Sequence, residues 1–566
     1  MKFENFDFNS IYNDFEDINL ISYLNKFGIT DIEKFISAKT IEDNEHYENI
    51  NKFRNVFEMF INEKKIEKMY TLLDSDLDGY MSGSLIYLFM KEYAPNVEVI
   101  AIHHSEDNAK AHGLEDDEVM DFLRNNEPSL LWISDAGSSN VKECKELYEL
   151  GYTIIISDHH NQTKVKVIDG VECNIDDYAT IVNNQNGNVE NKCGSGALVT
   201  WHCIDNIDTH IARTKNLVSY VMISLISDSM DINTYENYTF SFRGKQKLHK
   251  NLIPIIAEFN YKNNQSNKDY SFGIISKCNA TIRLGSIEDK ENLFRLLVGE
   301  VTNDEANSIG SRMLSLHSEQ SKLVKEFVEN NKKDIENKSD SKGYILYKIK
   351  EKTPLTGLIA NKLLGSYGKT TFLLHEREDG EIAGSVRSNI DDLRSILNEN
   401  GLFNYNEGHG NVFGTSYDIS KEKEVEEYLD TFFASYKPHI RVIGTYAVNS
   451  IPNEIFELRA KLDVLNACGK GLDTPQIHIK PFVVNGADFV KLTPSGTMLL
   501  LNSNDETFIF KFISKEKQKE LNIGVDKKYK IEILGEPTIS EYNGANQITV
   551  NDYEVKEIGS NFDDIF

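Results

Sequence analysis

Short apolar runs alternate with longer amphipathic stretches from Met69 onward, a pattern that predicts a parallel α/β sheet. The runs that we interpret as strands are MYTLL (69–73), VEVIAI (97–102), LLWIS (130–134) and YTIIIS (152–157). Residues 1–67 carry helical spacing and no chemical motif. We therefore expect a helical lead-in that precedes an α/β domain.

The second half of the chain contains three successive patterns of hydrophobic and polar residues. Apolar positions from Ala306 to Val328 suit one long amphipathic helix, which would join two lobes. A second α/β segment follows, and after about Pro438 alternating strands favour a small OB-like β-barrel. The predicted domains are the lead-in (1–67), the first α/β domain (68–255), a helical connector (256–340), a second α/β domain (341–437), the OB-like β domain (438–558) and an acidic tail (559–566).

Composition indicates a folded protein of several domains. The 566 residues are 40% hydrophobic and 27% charged, with only 10 prolines. The start MKFENFDFNS lacks a basic segment followed by an apolar one, and no apolar run is long enough to cross a bilayer. We therefore expect a cytoplasmic location and no membrane partner. The net charge of −28 disfavours a broad nucleic-acid surface, although a local basic groove and bound cations would still permit nucleic-acid binding.

Three of the predicted strands run directly into an acidic residue, namely Asp74, Asp135 and Asp158. The carboxyl ends of parallel strands lie on one edge of a sheet, where ligands bind in open α/β folds, so these acids should converge there. Asp228 ends the apolar helical run MISLISDSMD, which would pack against the sheet. The four acids therefore predict one polar cluster.

The first acid begins the turn Asp74-Ser75-Asp76-Leu77-Asp78-Gly79, whose alternating carboxylates suit magnesium or manganese. A calcium EF-hand begins in the same way. It is rejected because Leu85 stands where that loop needs its bidentate glutamate, and because an apolar strand precedes Asp74. A solvated Asp-rich turn is the competing interpretation of the turn taken alone.

The third acid begins Asp158-His159-His160, and an isolated histidine pair of this kind is more often a capped turn than a ligand set. Its position after two other acidic strand ends favours a cation site instead. Such a set suits phosphodiester hydrolysis, in which two divalent cations about 4 Å apart activate a water and offset the charge growing on the phosphate.

These residues resemble a known family. The series DSDLDG, SDAG, SDHH and ISDSMD resembles motifs I to IV of the DHH phosphoesterases, with the order and spacing of the RecJ group. YLNKFGITDIEKFI, VNNQN, CGSGALVTWHC and CNATIRLG are similar to further RecJ segments, whereas GSVRS (384–388) and GHGNVFG (408–414) resemble the DHH-associated domain. The resemblance thus covers nearly the whole chain and implies a DHH domain joined by the long helix to a DHH-associated domain.

The resemblance implies roles for individual residues. Two cations, Mn²⁺ or Mg²⁺, would be held by Asp76, Asp78, Asp135, His159 and Asp228, with Asp135 bridging both. Catalytic or orienting roles would fall to Asp158, His160 and Asp74. The substrate would be held by Asn279, Arg283, Ser385, Arg387, Ser388, Gly408 and His409, and a guanidinium can grip a phosphate bidentately.

The function implied is that of an exonuclease on single-stranded DNA, running 5′ to 3′, releasing nucleoside monophosphates and acting in recombination, repair or replication. Two departures affect substrate preference: Glu407 replaces a glycine of the family's Gly-Gly-His, and bulky Phe413 follows it. The alternatives are a DHH phosphodiesterase for short oligonucleotides or cyclic dinucleotides, and a non-catalytic scaffold that binds single strands. GSVRS and GHGNVFG are also compatible with a plain turn and a flexible loop.

The tail NFDDIF (561–566) is similar to the C-terminal tip of bacterial single-strand-binding proteins. It predicts docking on such a protein or on other replication and repair proteins, and a frayed, solvated end is the competing interpretation. The abundance of Asn, Lys and Ile indicates an AT-rich genome, either that of a bacterium or that of a phage infecting one.

Overall fold

The computed structural model describes residues 11–558, apart from 14, 16, 39–40, 42–45, 107–110, 215, 260–265, 340, 351–352, 378–379, 391, 437–439, 493–497, 504–505, 512–522 and 541–542. The described residues form two compact units. The first comprises 27–320 and 465–473, and the second comprises the residues up to 26, 321–464 and those from 474 onward. The tail 559–566 lies outside the described residues, so its predicted role stays a prediction.

A five-stranded parallel sheet lies at the centre of the first unit. Its strands, in spatial order, are Glu98–Ile102, Lys68–Leu73, Leu130–Ser134, Thr153–Asp158 and Ala179–Asn183. Every neighbouring pair is parallel, so all five carboxyl ends lie on one edge. The predicted α/β class with a parallel sheet is confirmed. The predicted bounds were wrong by one residue for three strands, and Asp158 is the last residue of its strand rather than the first after it.

Both faces of this sheet are covered, which explains why its central strands are apolar throughout. Met69, Leu73 and Trp132 pack into one core with helices of the unit. Tyr70 and Leu72 pack into the core on the opposite face, as the two-residue period of a strand requires. Trp201 is buried in the same core as Trp132.

Helices and one hairpin complete the first unit. The helices are Ile32–Ser37, Ile50–Glu58, Met59–Lys64, Leu77–Tyr93, Asp117–Arg124, Val141–Glu149, Gly196–Ile207, Thr209–Thr214, Val218–Ser227, Tyr235–Gln246, Leu252–Phe259, Asn267–Tyr270, Ser271–Ile275, Ser276–Leu284 and Ile287–Val298. The 3₁₀ turns are Gly113–Glu115 and Ile175–Asp177, and the hairpin pairs Val165–Ile168 with Val171–Asn174. Asp228 caps the end of Val218–Ser227, as the sequence predicts.

One 37-residue helix, Asn303–Ser339, covers the segment where a long amphipathic helix is predicted. Its second half is largely exposed and carries ion pairs between residues four apart, Lys322–Glu326, Lys325–Glu329, Lys332–Glu336 and Asp334–Lys338. Each such pair stabilises a helix by about 0.2–0.5 kcal/mol, which helps a long solvated helix persist. Among the described helices, none is long and apolar enough to cross a membrane.

The second unit contains a five-stranded sheet with strands Tyr405–His409, Val412–Asp418, Glu381–Arg387, Thr370–Glu376 and Tyr344–Ile349 in spatial order. Only the last pair is parallel. Its helices are Thr356–Tyr367, Leu393–Asn398 and Glu422–Ser435. The alternative that GSVRS is a plain turn is wrong, because Gly384–Arg387 lie within a strand. GHGNVFG forms the hairpin of the first two strands rather than a loop.

A seven-stranded mixed sheet occupies the C-terminal part of this unit. In spatial order its strands are Thr445–Tyr446, Ile477–Asn485, Lys528–Ile539, Asn546–Glu557, Glu506–Phe510, Leu499–Ser503 and Phe489–Lys491. Helix Glu454–Leu465 departs from the strand-rich prediction, although its buried Ile455, Leu458 and Leu462 do show helical spacing.

The lead-in is not purely helical as predicted. Helix Leu20–Lys26 lies within the second unit, and the strand Ile11–Asn13 pairs in parallel with Ile440–Val442. A three-residue strand is stabilised by a partner distant in sequence, so local spacing did not reveal it.

Candidate metal and phosphate sites

The sheet edge brings the first three acids together. Asp74 follows one strand and Asp135 follows its neighbour, whereas Asp158 ends the next strand along. The backbone N–H of Asp135 donates to the carbonyl oxygen of Ser157 at 2.8 Å, which continues the ladder to this point. The three acids therefore converge because their strands are parallel neighbours in one sheet.

In the part of the chain that the structure describes, acids and histidines from distant segments form three groups that could hold a cation. Within each group, one ligand atom per residue lies within 4.8 Å of the others. The groups are Asp74 with Asp76 and Asp135, Asp78 with His159 and Asp228, and Asp135 with His159 and His160. His159 Nε2 lies 3.2 Å from Asp135 Oδ1 and 3.5 Å from Asp228 Oδ2. All five residues predicted as metal ligands thus lie in these groups.

Local backbone geometry holds Asp76 and Asp78. Asp76 is the N-cap of helix Leu77–Tyr93 and accepts from the N–H groups of Asp78 and Gly79. Asp78 accepts from the backbone N–H groups of Gly196 at 2.8 Å and Ala197 at 2.9 Å, at the start of helix Gly196–Ile207. Helix starts stabilise anions, so both carboxylates are fixed before any ligand arrives.

Asp135 lies in an uncommon backbone conformation. Its φ is +66°, a left-handed value that costs a non-glycine residue about 1–2 kcal/mol. Gly196 packs directly against it, since a Cβ built on Gly196 would lie 2.7 Å from the Cα of Asp135. The approach of these two segments orients the Asp135 carboxylate into the cluster.

Crowding raises the pKa of several of these carboxyl groups. Burial, followed by repulsion from Asp228, Asp74 and Asp78, raises the pKa of Asp76 to about 7. Burial also raises the pKa of Asp78 and of Asp135, with Asp76 and Asp78 among the neighbours that act on Asp135. Buried acids that repel one another are stabilised by a cation, and carboxylates with one imidazole suit Mn²⁺ or Mg²⁺. The donor set therefore fits divalent cations, which would supply charge neutralisation and an activated water.

This crowding predicts proton release when a cation binds. Near pH 7, Asp76 is partly protonated, and a cation must displace that proton. We expect Mn²⁺ binding to release about half a proton per chain from Asp76 at pH 7, falling towards zero about two pH units higher. Calorimetry in buffers of different ionisation enthalpy measures this number. Proton release that is equal at pH 7 and pH 9 would contradict the crowded site.

Asp158 and His160 form a carboxylate–imidazole pair beside the cluster. Asp158 Oδ1 lies 2.9 Å from His160 Nδ1 and accepts from the N–H groups of His159 and His160, and its other oxygen accepts from the Ser138 hydroxyl. Although burial opposes ionisation, His160 leads the interactions that hold the pKa of Asp158 well below its usual range. An ionised, fully bonded Asp158 suits the predicted orienting role.

Two amides hold the segment that carries these histidines. Asn183 Nδ2 donates to the carbonyl oxygen of His160 at 3.0 Å, and Gln185 Nε2 donates to that of His159 at 3.0 Å. Both amides belong to VNNQN, a segment to which the sequence by itself assigned no role. They fix the backbone from which His159 and His160 project.

Residue-by-residue reasoning missed a second set of side chains around Asp74. His112 Nδ1 lies 3.1 Å from Asp74 Oδ2, and the N–H of Gly113 donates to Asp74 Oδ1 at 3.0 Å. His104 Nε2 lies 3.7 Å from Asp74, while its Nδ1 lies 3.4 Å from Asp116. One signal was available for His104: His103 and His104 directly follow the strand Glu98–Ile102, which is adjacent to that of Asp74, so they lie at the same edge.

These contacts determine the ionisation of both partners. Burial disfavours the charged forms, but Asp74 outweighs it and raises the pKa of His112 to about 10. The two histidines likewise hold the pKa of Asp74 well below its usual range, against the effect of burial. Asp74 is therefore an anion beside a cationic imidazole at neutral pH.

Asn279 and Arg283 lie on helix Ser276–Leu284 of the same unit. Asn279 Oδ1 accepts from the backbone N–H of Leu77 at 3.2 Å, so the amide is tied to the turn that carries Asp76 and Asp78. Burial lowers the pKa of Arg283, and the charge of nearby Asp76 opposes that shift. Arg283 thus adds positive charge close to the acid cluster.

The remaining predicted substrate residues lie in the second unit. Ser385 Oγ lies 2.9 Å from Thr356 Oγ1, at the first turn of helix Thr356–Tyr367. The guanidinium of Arg387 packs over the same turn, since a Cβ built on Gly357 would lie 3.2 Å from its Cζ. Hydroxyls, a guanidinium and the start of a helix form a surface suited to a phosphate.

Ser388, Gly408 and His409 are placed differently. Ser388 is buried and its hydroxyl bonds to Thr370 at 2.7 Å, so it supports the strand from inside. Gly408 has a φ of +122°, which favours glycine, and its carbonyl oxygen accepts from Arg394. His409 lies on the same strand, and its side chain is outside the described part of the chain.

Comparison with known proteins identifies a matching family model and similar proteins. The family model "DHH family, N-terminal domain" matches residues 68–225. A putative prophage-derived single-strand DNA-specific exonuclease, YorK of Bacillus subtilis, is 28% identical over 435 residues, 71% of this chain and 72% of that protein. The single-stranded-DNA-specific exonuclease RecJ of Bacillus subtilis is 21% identical over 513 residues, 87% of this chain and 62% of that protein.

Two solved structures share the fold. RecJ of Thermus thermophilus in complex with Mn²⁺ has a TM-score of 0.68 at 16% identity, covering 94% of this chain and 77% of that one. Its complex with Mg²⁺ has a TM-score of 0.64 at 14% identity, with 94% and 76% covered. At this identity the likeness shows the fold.

The parallel sheet, the acids on its carboxyl edge and the matching family model define a hydrolase of the phosphodiesterase class. Within that class, residues 68–225 match the DHH family model, and the chain is similar to the exonucleases YorK and RecJ.

Proposed function

We propose that this protein is a divalent-metal-dependent exonuclease that degrades single-stranded DNA from its 5′ end and releases nucleoside monophosphates. One observation carries the proposal: Asp76, Asp78, Asp135, His159 and Asp228 meet at one sheet edge with ligand atoms a few ångströms apart. That arrangement suits in-line displacement at phosphorus with charge neutralisation by cations. Its place would be DNA recombination, repair or replication.

The proposed substrate is supported by the relatives, two of which are described as specific for single-stranded DNA. In the first unit, Arg283 would offset the charge of the scissile phosphate and His160 would orient it. In the second unit, Ser385 and Arg387 would hold a neighbouring phosphate. An arginine fork fits a phosphate bidentately, so its position would fix the register of the strand.

Further parts of the chain would extend the contact with the DNA strand. The helix Asn303–Ser339 would join the two lobes, and the C-terminal β domain would act as an OB-like surface that stacks bases and tracks the backbone. The acidic tail 559–566 would dock on a single-strand-binding protein or on other replication and repair proteins.

A labelled digestion tests the proposal. Oligonucleotides labelled at the 5′ or the 3′ end are incubated with the protein and Mn²⁺, Mg²⁺ or a chelator, as single strands and as blunt duplexes. We expect the 5′ label to leave at once as a mononucleotide and the 3′-labelled strand to shorten progressively, with activity lost in the chelator.

Other outcomes would separate the alternatives. Cleavage of dinucleotides or cyclic dinucleotides alone would identify a phosphodiesterase for small substrates. Strand binding with no turnover in either metal would identify a binding scaffold, and rapid release of the 3′ label would reverse the direction.

A further inference from the structure

His112 is a fixed imidazole at the acid cluster to which the proposed reaction assigns no role. Its Nδ1 lies 3.1 Å from Asp74, and the next residue is held as well, because the N–H of Gly113 also donates to Asp74 and that of Leu114 donates to Asn140. The ring is nevertheless 39% exposed. Among the described residues, its second nitrogen Nε2 has no hydrogen-bond partner, which leaves that nitrogen available to a ligand.

His112 lies beside His160 in a matching arrangement. The two rings meet edge to face with centroids 4.4 Å apart. His160 is bonded at Nδ1 to Asp158, as His112 is to Asp74, and its side chain is 42% exposed. Two neighbouring imidazoles are thus each fixed at one nitrogen by a carboxylate, which leaves the other nitrogen for the ligand.

The contrast with His104 argues against a purely supporting role. His104 also contacts Asp74, but its side chain is only 2% exposed and its Nδ1 lies 3.4 Å from Asp116 Oδ2. Asp74 therefore already has a buried imidazole partner. A second partner needed only for support of Asp74 would gain nothing from being exposed.

We propose that His112 is a further catalytic residue, donating a hydrogen bond from Nε2 to a non-bridging oxygen of the scissile phosphate. This rests on the proposed function. During hydrolysis, the oxygen of a water bonds to phosphorus, the bond from phosphorus to the leaving sugar oxygen breaks, and the water's proton ends on that oxygen. His112 keeps its own proton throughout and stabilises the charge that grows on the phosphate oxygens.

Two amide substitutions separate contact with the phosphate from support of Asp74. In His112→Asn the amide nitrogen replaces Nδ1 and keeps the bond to Asp74, whereas in His112→Gln it reaches the position of Nε2. We expect H112N to lower kcat about 10²-fold and H112Q to stay within about tenfold of the parent. Mn²⁺ affinity by calorimetry and the melting temperature should remain unchanged in both variants, because the metal groups do not include His112.

A binding measurement keeps this test independent of turnover. Titration of the Mn²⁺-loaded proteins with dTMP should show weaker binding by H112N than by H112Q, even if the parent protein fails to degrade DNA. Activity retained by H112N and lost by H112Q would overturn the proposal in favour of support for Asp74. Equal dTMP binding by all three proteins, or losses that follow weakened Mn²⁺ affinity, would overturn it as well.

Discussion

Replacing Asp135 with asparagine is expected to lower kcat on single-stranded DNA at least about 10³-fold while the protein stays folded. Asp135 is 2% exposed and belongs to two of the three groups that could hold a cation. Asparagine has the same shape, but it removes a negative charge from the point where these groups overlap. Burial and repulsion already raise the pKa of Asp135, so the neutral side chain should not destabilise the cation-free protein.

The control for this variant is Asp121→Asn, which removes an exposed carboxylate paired with Arg124 on the surface of the same unit. Such pairs contribute at most about 1 kcal/mol, so activity and melting temperature should match the parent. Steady-state digestion with Mn²⁺, together with calorimetric Mn²⁺ binding, measures both variants. Full activity of D135N, or normal Mn²⁺ affinity without activity, would contradict a shared ligand.

Replacing Gly196 with alanine should damage the same site without changing any charged residue. The added methyl group would lie 2.5 Å from the Cβ of Asp135 and 2.7 Å from its Cα. One of the two segments must then move, and Gly196 also donates its N–H to Asp78. We expect an activity loss of about 10²-fold, since shifts of about 1 Å are this costly in an active site. The free energy of unfolding should fall by about 2 kcal/mol, as for other overpacked sites.

Gly310→Ala is the matched control, because Gly310 lies within a helix where, among the described residues, an added Cβ would meet only the ring of Phe259 at 3.8 Å. Alanine stabilises a helix interior by about 0.5–1 kcal/mol relative to glycine, so this variant should be active and slightly more stable. Denaturant unfolding and Mn²⁺ titration compare the two. Normal Mn²⁺ affinity in G196A would show that the contact does not position Asp135.

Much of the candidate site could be predicted because the positions of its acids follow from local sequence patterns. Asp74, Asp135 and Asp158 come at or directly after the ends of buried strands, and parallel strands place such positions on one edge. The apolar runs that marked those strands are strong signals, since both faces of the sheet are covered. The residue types indicated a cation site, and the family resemblance implied the individual roles.

Other residues could not be assigned in this way. His112 follows a segment with no apolar spacing, and its partner Asp74 lies 38 residues earlier in the chain. Gly196 resembles an ordinary glycine at a helix start, and only its contact with Asp135 explains why no larger residue fits. The strand Ile11–Asn13 depends on a partner more than 400 residues away. Contacts of this kind have no local signature.

The four predicted strands of the parallel sheet, the apolar faces and the identity of the acids were determined by the sequence itself, because they depend on spacing between near neighbours. Tertiary structure alone decided which nitrogen of each histidine is occupied, how closely Gly196 approaches Asp135 and which carboxyl groups repel one another. These properties depend on distances of a few ångströms between distant segments. Hydrogen bonding, steric exclusion and charge repulsion all change sharply over such distances, whereas hydrophobic patterning does not.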